Sequence, residues 1–262
     1  MAKLKDIAVQ KPRLAPGHRL CPGCGASIIV NQALHAIKEP VVVTSATGCL
    51  EVSTTPFPFT SWECSFMHTA FENSASTISG IEAAYNSLKR QGKIDKEIKF
   101  VAFGGDGGTY DIGLQALSGA VERGHDFLYI CYDNGAYMNT GIQRSSATPT
   151  GAATTTAPPG KKSYGKIQRR KDLTHILAAH QIPYAAQASP AYWKDFMRKV
   201  ETAMEIEGPK FINIISVCPR GWRSKDEEGI SLSKEAVLSC YWPLYEVFDG
   251  HKWKVNVKPR EG

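Results

Sequence analysis

Two short polar segments, each directly after an apolar run, contain the first candidates for chemistry in this sequence. They are Gly105-Asp106-Gly107 and, on the next apolar run along the chain, Asn134. Glycines let a backbone approach a phosphate closely, and carboxylate and amide oxygens are ligands that Mg²⁺ prefers. A carboxylate in a phosphate-binding loop repels the phosphate unless a cation lies between them. The pair therefore indicates a Mg²⁺–phosphate site, and an N-capping aspartate in a tight turn is the alternative.

Seven cysteines provide a second set of candidates. Cys21 and Cys24 form a C-x₂-C pair, whereas Cys49 and Cys218 each follow a predicted strand. A structural zinc site usually has two close C-x₂-C pairs. One pair with two distant single cysteines favours an iron–sulfur cluster, with zinc or a redox pair as alternatives. Cys131 lies inside an apolar strand and is predicted to be a core residue.

The apolar pattern places these residues on alternating strands and helices. Predicted strands span 41–44, 98–103, 127–132, 184–188 and 210–217, and predicted helices span 26–37, 74–90, 111–123, 173–180 and 190–205. A strand–glycine loop–helix–strand order is typical of a parallel sheet. We therefore expect an α/β fold with an open, mostly parallel sheet and helices on both faces. Ligands bind such sheets at the carboxyl ends of the strands, where Asp106, Asn134 and Cys218 lie.

Three segments lack this periodicity. Residues 1–20 are predicted to form an extended arm, and residues 144–170 a long loop that is functional or mobile. Residues 50–66 contain aromatic and proline residues and are predicted to form a loop. This loop has more apolar surface than a free monomer comfortably exposes, so 57–66 is expected at an interface. The basic run 161–171 predicts a solvated surface or, alternatively, a docking surface for an acidic partner.

Composition limits the class of protein. The chain has 262 residues, a net charge of +6, 21% charged and 42% hydrophobic residues, which is typical of a globular protein with a real core. No apolar stretch is long enough to span a membrane, and the N-terminal residues lack the apolar region of a secretory signal. A cytoplasmic chain is therefore expected. Since no nucleic-acid module is recognisable, neither nucleic acid nor a membrane is an expected partner.

The Gly-Asp-Gly segment at 105–107, followed after 26 residues (108–133) by Asn134, resembles the thiamine-diphosphate motif of thiamine-dependent enzymes. That resemblance makes Asp106 and Asn134 ligands of Mg²⁺, with the backbone carbonyl of Ala136 as a third ligand. It also implies that thiamine diphosphate binds at this loop, with its diphosphate against Gly105 and Gly107.

The resemblance extends over nearly the whole chain. The chain resembles the thiamine-diphosphate-binding β subunits of the 2-oxoacid:ferredoxin oxidoreductase family, and those of pyruvate:ferredoxin oxidoreductases most of all. The matching stretches are HRLCPGCGASI at 18–28, ATGCLEVSTTPFPFTSW at 46–62, residues 103–145, TPTG at 148–151 and SVCPRGW at 216–222. By this match a [4Fe–4S] cluster would be held by Cys21, Cys24, Cys49 and Cys218. Residues 1–262 would form a single thiamine-diphosphate-binding domain with an N-terminal cluster-binding arm and a C-terminal extension.

The resemblance implies a reaction as well. Pyruvate would be oxidatively decarboxylated with coenzyme A to acetyl-CoA and CO₂, reversibly, while electrons pass through the cluster to ferredoxin. Branched-chain 2-oxoacids, 2-oxoglutarate and oxalate are alternative substrates. Asn139 aligns with a family position at the reaction centre and is expected to orient the substrate; a turn-forming asparagine is the alternative. A thiamine-dependent decarboxylase without redox function and a non-catalytic, zinc-stabilised interaction protein are the rival functions.

Partner chains are implied by two features. The family supplies the glutamate that activates the aminopyrimidine of the cofactor from another subunit. The chain also lacks the C-x₂-C-x₂-C-x₃-C-P run of bacterial ferredoxins. Other subunits of the α, γ and δ type, and ferredoxin itself, are therefore the expected partners.

Overall fold

An eight-stranded sheet forms the centre of the computed structural model, which describes residues 4–258. The strands are β1 (Val41–Ala46), β2 (Ser65–Thr69), β3 (Lys99–Gly105), β4 (Leu128–Asp133), β5 (Ala136–Tyr137), β6 (Gln143–Arg144), β7 (Tyr184–Ala188), β8 (Lys210–Ile215), β9 (Tyr245–Phe248) and β10 (Lys252–Val255). The order across the sheet is β10-β9-β7-β8-β4-β3-β1-β2, and β5 and β6 form a separate hairpin. All neighbours from β7 to β2 pair in parallel, whereas β9 and β10 are antiparallel to their neighbours. The expected open, mostly parallel α/β sheet is confirmed.

Helices cover both faces of this sheet. They are α1 (Leu4–Ala8), α2 (Gly25–Ala36), α3 (Cys49–Thr54), α4 (Ser74–Arg90), α5 (Leu114–Glu122), α6 (Leu173–Ala179), α7 (Trp193–Glu205), α8 (Pro219–Trp222) and α9 (Gly229–Leu238). Apolar residues of α2 and α7 pack on one face, and those of α4, α5 and α6 pack on the other. Because side chains alternate along a strand, Ile130 and Tyr132 of β4 point to the first face, and Tyr129 and Cys131 to the second. Cys131 is fully buried there, which confirms its prediction as a core residue.

The strand predicted at 210–217 is present as β8, but it is not the last strand of the core. The later strand β9 adds to β7 in antiparallel orientation, and β10 extends that edge. Each has only four residues. Glu246, at a fully buried position of β9, interrupts the apolar pattern by which strands are recognised, so β9 could not be predicted from that pattern.

Two segments predicted to lack regular structure contain some. In 50–66, the first residues belong to α3 and the last belong to β2. Trp62 is buried and stacks on Phe66 at 4.4 Å between ring centroids, so part of the aromatic surface is covered by the chain itself. The predicted arm 1–20 contains α1 at Leu4–Ala8; residues 1–3 lie outside the described part.

The helix predicted at 111–123 is divided. A π-helical segment, Gly107–Ile112, follows β3 directly, and α5 begins only at Leu114. π-Helical turns are often found at functional sites. This one begins one residue after Asp106, so the irregularity lies at the predicted cofactor loop.

The loop 144–170 is confirmed as a long segment with little regular structure. The basic run that begins within it is only partly solvated, and its alternative role as a docking surface stays a prediction. Lys166 is buried and donates hydrogen bonds to the carbonyls of Ser146 (2.9 Å) and Thr148 (2.6 Å), whereas Lys161 and Lys162 are exposed. Through these two hydrogen bonds, the buried Lys166 holds the later part of the loop against its first residues. Across the part of the chain that is described, no helix has the length and apolar character needed to cross a membrane.

Candidate functional site

The ends of β3 and β4 bring the two predicted magnesium ligands together. Gly105 pairs with Tyr132 in the parallel register of these strands, so the residues that follow lie side by side. The backbone N–H of Asn134 donates to Oδ1 of Asp106 at 3.2 Å. The predicted proximity of Asp106 and Asn134 is therefore confirmed, although their role as metal ligands stays a prediction.

Asp106 is a fully buried carboxylate that has no cationic side chain bonded to it within the described residues. Besides the Asn134 amide, its donor is the hydroxyl of Ser145, which reaches the other carboxylate oxygen. Burial raises the pKa of Asp106 well above its usual value, and the nearby Asp133 carboxylate raises it further. A divalent cation would stabilise the ionised form of this group, so the environment fits a Mg²⁺ ligand.

Asn134 and Ala136 belong to one tight turn. Gly135 between them has a φ of 83°, a left-handed conformation that glycine adopts without strain. The side-chain oxygen of Asn134 accepts from the Ala136 N–H at 3.3 Å, and its backbone carbonyl accepts from Nε1 of Trp222 at 2.7 Å. The side-chain oxygen of Asn134 and the backbone of Ala136 therefore lie in the same turn, as the thiamine motif requires.

The glycines of the motif are needed for close packing. A Cβ atom at Gly107 would lie 2.3 Å from the ring of Tyr137. The Tyr137 hydroxyl donates to the Gly107 carbonyl at 3.0 Å and to the Asp111 carboxylate at 3.1 Å. At Gly105 a Cβ atom would lie 3.3 Å from the Tyr132 ring. Because Gly105 and Gly107 have no side chains, the loop can pack this closely on the tyrosines while its backbone stays open to a ligand.

Arg170 supports the turn from the other side. Its guanidinium forms an ion pair with Asp133 and donates to the carbonyl of Ala147 at 2.9 Å. Burial alone would lower the pKa of Arg170, but the Asp133 charge outweighs that effect and raises it. Arg170, Trp222 and Asn134 line a cavity of about 330 Å³. The sequence pattern did not identify Arg170, because within a basic run it looked like any other solvated cation.

The segments of three predicted cluster ligands meet at the same edge of the sheet. Cys24 directly precedes α2, Cys49 is the first residue of α3, and Cys218 directly precedes α8. The Gly221 N–H donates to Sγ of Cys218 at 3.3 Å. The free amides of a helix N-terminus favour a thiolate, which is the ligand form of cysteine.

The electrostatics of the thiols show that the cysteines lie near one another. Burial, together with the smaller effect of charge at Cys218, Cys24 and Cys21, raises the pKa of Cys49 to about 12. Burial likewise raises the pKa of Cys24. A cofactor that supplies positive charge would lower these pKa values, because cysteine binds metal as the deprotonated thiolate. The donor set therefore fits an iron–sulfur cluster.

A single-metal site is a different matter. Within residues 4–258, no group of three or more His, Cys, Asp or Glu side chains is placed to hold one metal ion. The [4Fe–4S] cluster at these cysteines stays a prediction.

One predicted cluster ligand, Cys49, lines the same cleft as the thiamine motif. Thr47, Gly48 and Cys49 form one wall, and the other is formed by Gly105–Gly108, Asn134 and Ala136. Asn139 also lines this cleft. It is exposed, in the turn where the Gly141 N–H donates to the Met138 carbonyl at 3.2 Å. Its position is compatible both with contact to a substrate and with the turn-forming alternative.

Sequence reasoning missed other residues of this region. Ser145, Arg170 and Trp222 contact the motif from segments distant in the chain. Trp222 lies in the stretch SVCPRGW, which carried part of the family resemblance, so it offered a signal. Ser145 is likewise the last residue of the matching stretch 103–145, whereas Arg170 lies outside all the matching stretches and offered no signal. The contacts of both depend on how the loop 144–170 folds back.

The parallel α/β sheet and the loop at Asp106 fit the class of thiamine-dependent enzymes, and comparison with known proteins agrees with this class. Residues 46–214 match the family described as thiamine pyrophosphate enzyme, C-terminal TPP binding domain. Thiamine diphosphate (thiamine pyrophosphate) is therefore the cofactor of this domain.

Relatives in other organisms narrow the class. The chain is 55% identical over 258 residues to pyruvate synthase subunit PorB of Methanocaldococcus jannaschii, with 97% of this chain and 86% of that protein covered. It is 54% identical over 254 residues to pyruvate synthase subunit PorB of Thermotoga maritima, with 95% and 78% covered. Ketoisovalerate oxidoreductase subunit VorB of Pyrococcus abyssi is 47% identical over 241 residues, with 92% and 77% covered. The chain belongs to this family of thiamine-dependent 2-oxoacid:ferredoxin oxidoreductase subunits.

A solved structure supports the fold. The 2-oxoglutarate:ferredoxin oxidoreductase from Magnetococcus marinus matches with a TM-score of 0.66 and 22% identity, over 89% of this chain and 80% of that chain. The predicted family and enzyme class are thus confirmed. The alternative of a non-catalytic, zinc-stabilised interaction protein is excluded by the family.

Proposed function

We propose that this chain is the subunit of a pyruvate:ferredoxin oxidoreductase in which the thiamine cofactor and an iron–sulfur cluster lie together. The complex would convert pyruvate and coenzyme A to acetyl-CoA and CO₂, and pass the electrons to ferredoxin. Mg²⁺ would be held by Asp106, Asn134 and the carbonyl of Ala136. The [4Fe–4S] cluster would be held by Cys21, Cys24, Cys49 and Cys218.

One observation carries this proposal: Cys49 and Asp106 line the same cleft. The Trp222–Asn134 hydrogen bond of 2.7 Å joins the segment after Cys218 to the turn of the thiamine motif. Bound thiamine diphosphate supplies an electron sink for decarboxylation of a 2-oxoacid. An electron acceptor in the same cleft would let the chain remove those electrons one at a time, which a decarboxylase without redox function does not need.

The chain's own residues would mainly bind and orient. Asp106 would offer its carboxylate to the cation, and the glycines 105 and 107 would let the diphosphate approach the backbone. Tyr137 holds the Gly107 carbonyl at 3.0 Å and so fixes the shape of this loop. Asn139, exposed at the cleft, is proposed to orient the substrate or its product through its amide.

Partner subunits of the α, γ and δ type are proposed to cover part of this chain. Phe57 is 97% exposed and Phe59 is 73% exposed, although the neighbouring Trp62 is buried. Two adjacent exposed phenylalanines are unfavourable in water and are typical of an interface. We propose that residues 1–262 act as a single domain in a cytoplasmic complex with these subunits, and that ferredoxin docks on the complex.

A branched-chain 2-oxoacid is the second candidate substrate. Identity does not separate it from pyruvate, because pyruvate synthase subunit PorB of Pyrococcus furiosus and the ketoisovalerate subunit of Pyrococcus abyssi are each 47% identical to this chain. Pyruvate is preferred because the two relatives with 55% and 54% identity are both pyruvate synthase subunits.

The test uses the complete complex, purified without oxygen. Coenzyme-A-dependent reduction of a viologen is measured with pyruvate, 2-oxoisovalerate, 2-oxoglutarate and oxalate. We expect the highest kcat/KM with pyruvate and no sustained reduction by this chain alone. A higher kcat/KM with 2-oxoisovalerate would show that this branched-chain 2-oxoacid, and not pyruvate, is the substrate. Activity of the chain alone would overturn the multi-subunit proposal.

Iron and acid-labile sulfide analysis of the same complex tests the cluster. Cys218→Ala is expected to lose or convert the cluster, whereas Cys131→Ala, the matched buried control, is expected to keep it. Equal iron content and equal paramagnetic spectra in the two variants would contradict the proposed ligand set. Zinc without sulfide in the unmutated complex would do the same.

A further inference from the structure

Tyr132, the fifth residue of β4, has a buried hydroxyl without a hydrogen-bond partner. The residue is 2% exposed, and its hydroxyl oxygen has no partner of good geometry within the described residues. Buried polar groups in native proteins are nearly always hydrogen-bonded, since an unpaired buried hydroxyl keeps the full desolvation penalty. An unpaired hydroxyl beside a cofactor cleft therefore points to a partner supplied by a bound group.

Two glycines make room for this side chain at the cleft. A Cβ atom at Gly48 would lie 3.1 Å from the Tyr132 hydroxyl, and one at Gly105 would lie 3.3 Å from the ring. Gly48 directly precedes Cys49, and Gly105 directly precedes Asp106. The phenol therefore lies between the two halves of the site, with its hydroxyl end towards the cysteine segment.

The surroundings favour a sulfur acceptor. The backbone N–H of Leu50, on the same side, can only donate to the phenol oxygen, so it makes no use of the hydroxyl proton. A phenol is an O–H donor at neutral pH. Thiolates or sulfides are the anionic acceptors on the side of Cys49, towards which the hydroxyl lies.

We propose that the Tyr132 hydroxyl donates a hydrogen bond to a sulfur atom of the [4Fe–4S] cluster, at the Cys49 side. This inference rests on the proposed function, because it requires the cluster. Reduction adds a negative charge to the cluster, and a hydrogen bond stabilises the more negative form. Hydrogen bonds to the sulfurs are one of the factors that set cluster potentials. Tyr132 would therefore act as a positioned donor that makes the cluster next to the thiamine cofactor easier to reduce.

The test is the reduction potential of this cluster in the whole complex, with Tyr132→Phe against the unmutated protein. Potentials are measured by paramagnetic resonance during redox titration. We expect a shift to more negative values, up to about tenfold in the ratio of reduced to oxidised cluster at a fixed poise, which is ~59 mV for one electron.

Tyr129→Phe is the matched control. Tyr129 is also buried on β4, but on the other face of the sheet, and its hydroxyl pairs with that of Thr109 at 3.1 Å. The control should leave the potential unchanged. Loss of an exchangeable-proton coupling to the reduced cluster in Tyr132→Phe, but not in Tyr129→Phe, would support the inference.

Other outcomes would contradict either the Tyr132 hydrogen bond or the proposed function. Equal potentials in Tyr132→Phe and the unmutated complex, with equal iron and sulfide, would overturn this inference and leave the proposed function standing. So would weaker thiamine diphosphate binding with an unchanged potential, since the donor would then serve the phosphate. Absence of a cluster from the unmutated complex would instead overturn the proposed function.

One measurement does not depend on the variant folding or assembling. Ring-deuterated tyrosine is incorporated into the unmutated protein, and deuteron couplings to the reduced cluster are recorded. A tyrosine ring within hydrogen-bond reach of the cluster must show such a coupling. Its absence would overturn the inference.

Discussion

Two buried carboxylates, Asp106 and Glu246, differ in what the chain provides for them. Both side chains are inaccessible to solvent. Glu246, on β9, accepts hydrogen bonds from the guanidinium of Arg198 at 2.9 Å, from the hydroxyl of Tyr184 at 2.9 Å and from the amide of Asn256 at 2.6 Å. Asp106, directly after β3, accepts from just two donors among residues 4–258, the backbone amide of Asn134 and the Ser145 hydroxyl.

The pKa values of the two groups move in opposite directions as a result. Burial would raise the pKa of Glu246, but the donors, Arg198 first among them, outweigh burial and lower it to about 2. Burial and the charge of Asp133 raise the pKa of Asp106. The chain thus supplies the cation for the structural carboxylate, whereas no cationic side chain of the described residues bonds Asp106; the proposed Mg²⁺ would supply that charge.

The largest expected effect is at Asp106. Asp106→Ala should weaken thiamine diphosphate binding by more than roughly 100-fold, because loss of a ligand costs more than loss of its supporting hydrogen bonds. The fold should survive, since the side chain contributes little apolar packing. Calorimetry on the complex in the presence of Mg²⁺ measures the affinity, and circular dichroism monitors the fold. Unchanged affinity would remove Asp106 from the metal site.

Glu246→Gln should have the next largest effect, on stability instead of binding. The substitution leaves the partly buried Arg198 with only Asp195 as a charged partner. Removing one partner of a buried ion pair costs about 3 kcal/mol. Urea unfolding of the chain measures this loss, while thiamine diphosphate affinity in the complex should stay as in the unmutated protein. A stability loss well below 1 kcal/mol would contradict the structural role.

Acidification provides a third way to test the comparison between Asp106 and Glu246. The pKa of Glu246 is about 2 in the folded chain, below its ordinary value of 4.5. Its contribution to stability is therefore complete above pH 4.5 and is lost as the pH falls towards 2. Between these values the unmutated chain should lose more unfolding free energy than Glu246→Gln does. Parallel curves for the two proteins would show that Glu246 is not the group that titrates.

The smallest effect is expected for Asp106→Asn in the cofactor-free chain. The amide keeps the shape of the carboxylate but removes a buried charge that Asp133 repels. We expect the variant to gain about 1 kcal/mol in unfolding free energy, the reverse of Glu246→Gln. Urea unfolding at neutral pH measures this gain. A loss of stability instead would show that the chain already satisfies Asp106.

Much of the fold was predictable because its signals are local. The helix α4 and the strand β7 have the bounds that their apolar periodicity predicts, and the glycines at the strand ends marked the turns. The positions of Asp106 and Asn134 followed from a general rule, since the carboxyl ends of neighbouring parallel strands lie at one edge.

What could not be predicted depends on distant contacts. The strand β9 carries a glutamate in its interior, and donors distant in the chain, such as Arg198 and Tyr184, make that residue acceptable there. Arg170 looked like a surface cation until the loop 144–170 turned it towards Asp133. Tyr132 read as one more apolar strand residue, because its unpaired hydroxyl is a property of the packed structure.

The hydrogen bond from Trp222 to the Asn134 carbonyl has a consequence for how the protein tolerates air. It makes the segment after Cys218 and the turn of the thiamine motif one mechanical unit. If the proposed cluster is bound at Cys218, its oxidative destruction would free this segment and, through Trp222, loosen the turn beside the cofactor loop. Exposure to oxygen should then release thiamine diphosphate at the same rate as iron, and slower cofactor release than iron loss would show that the two are uncoupled.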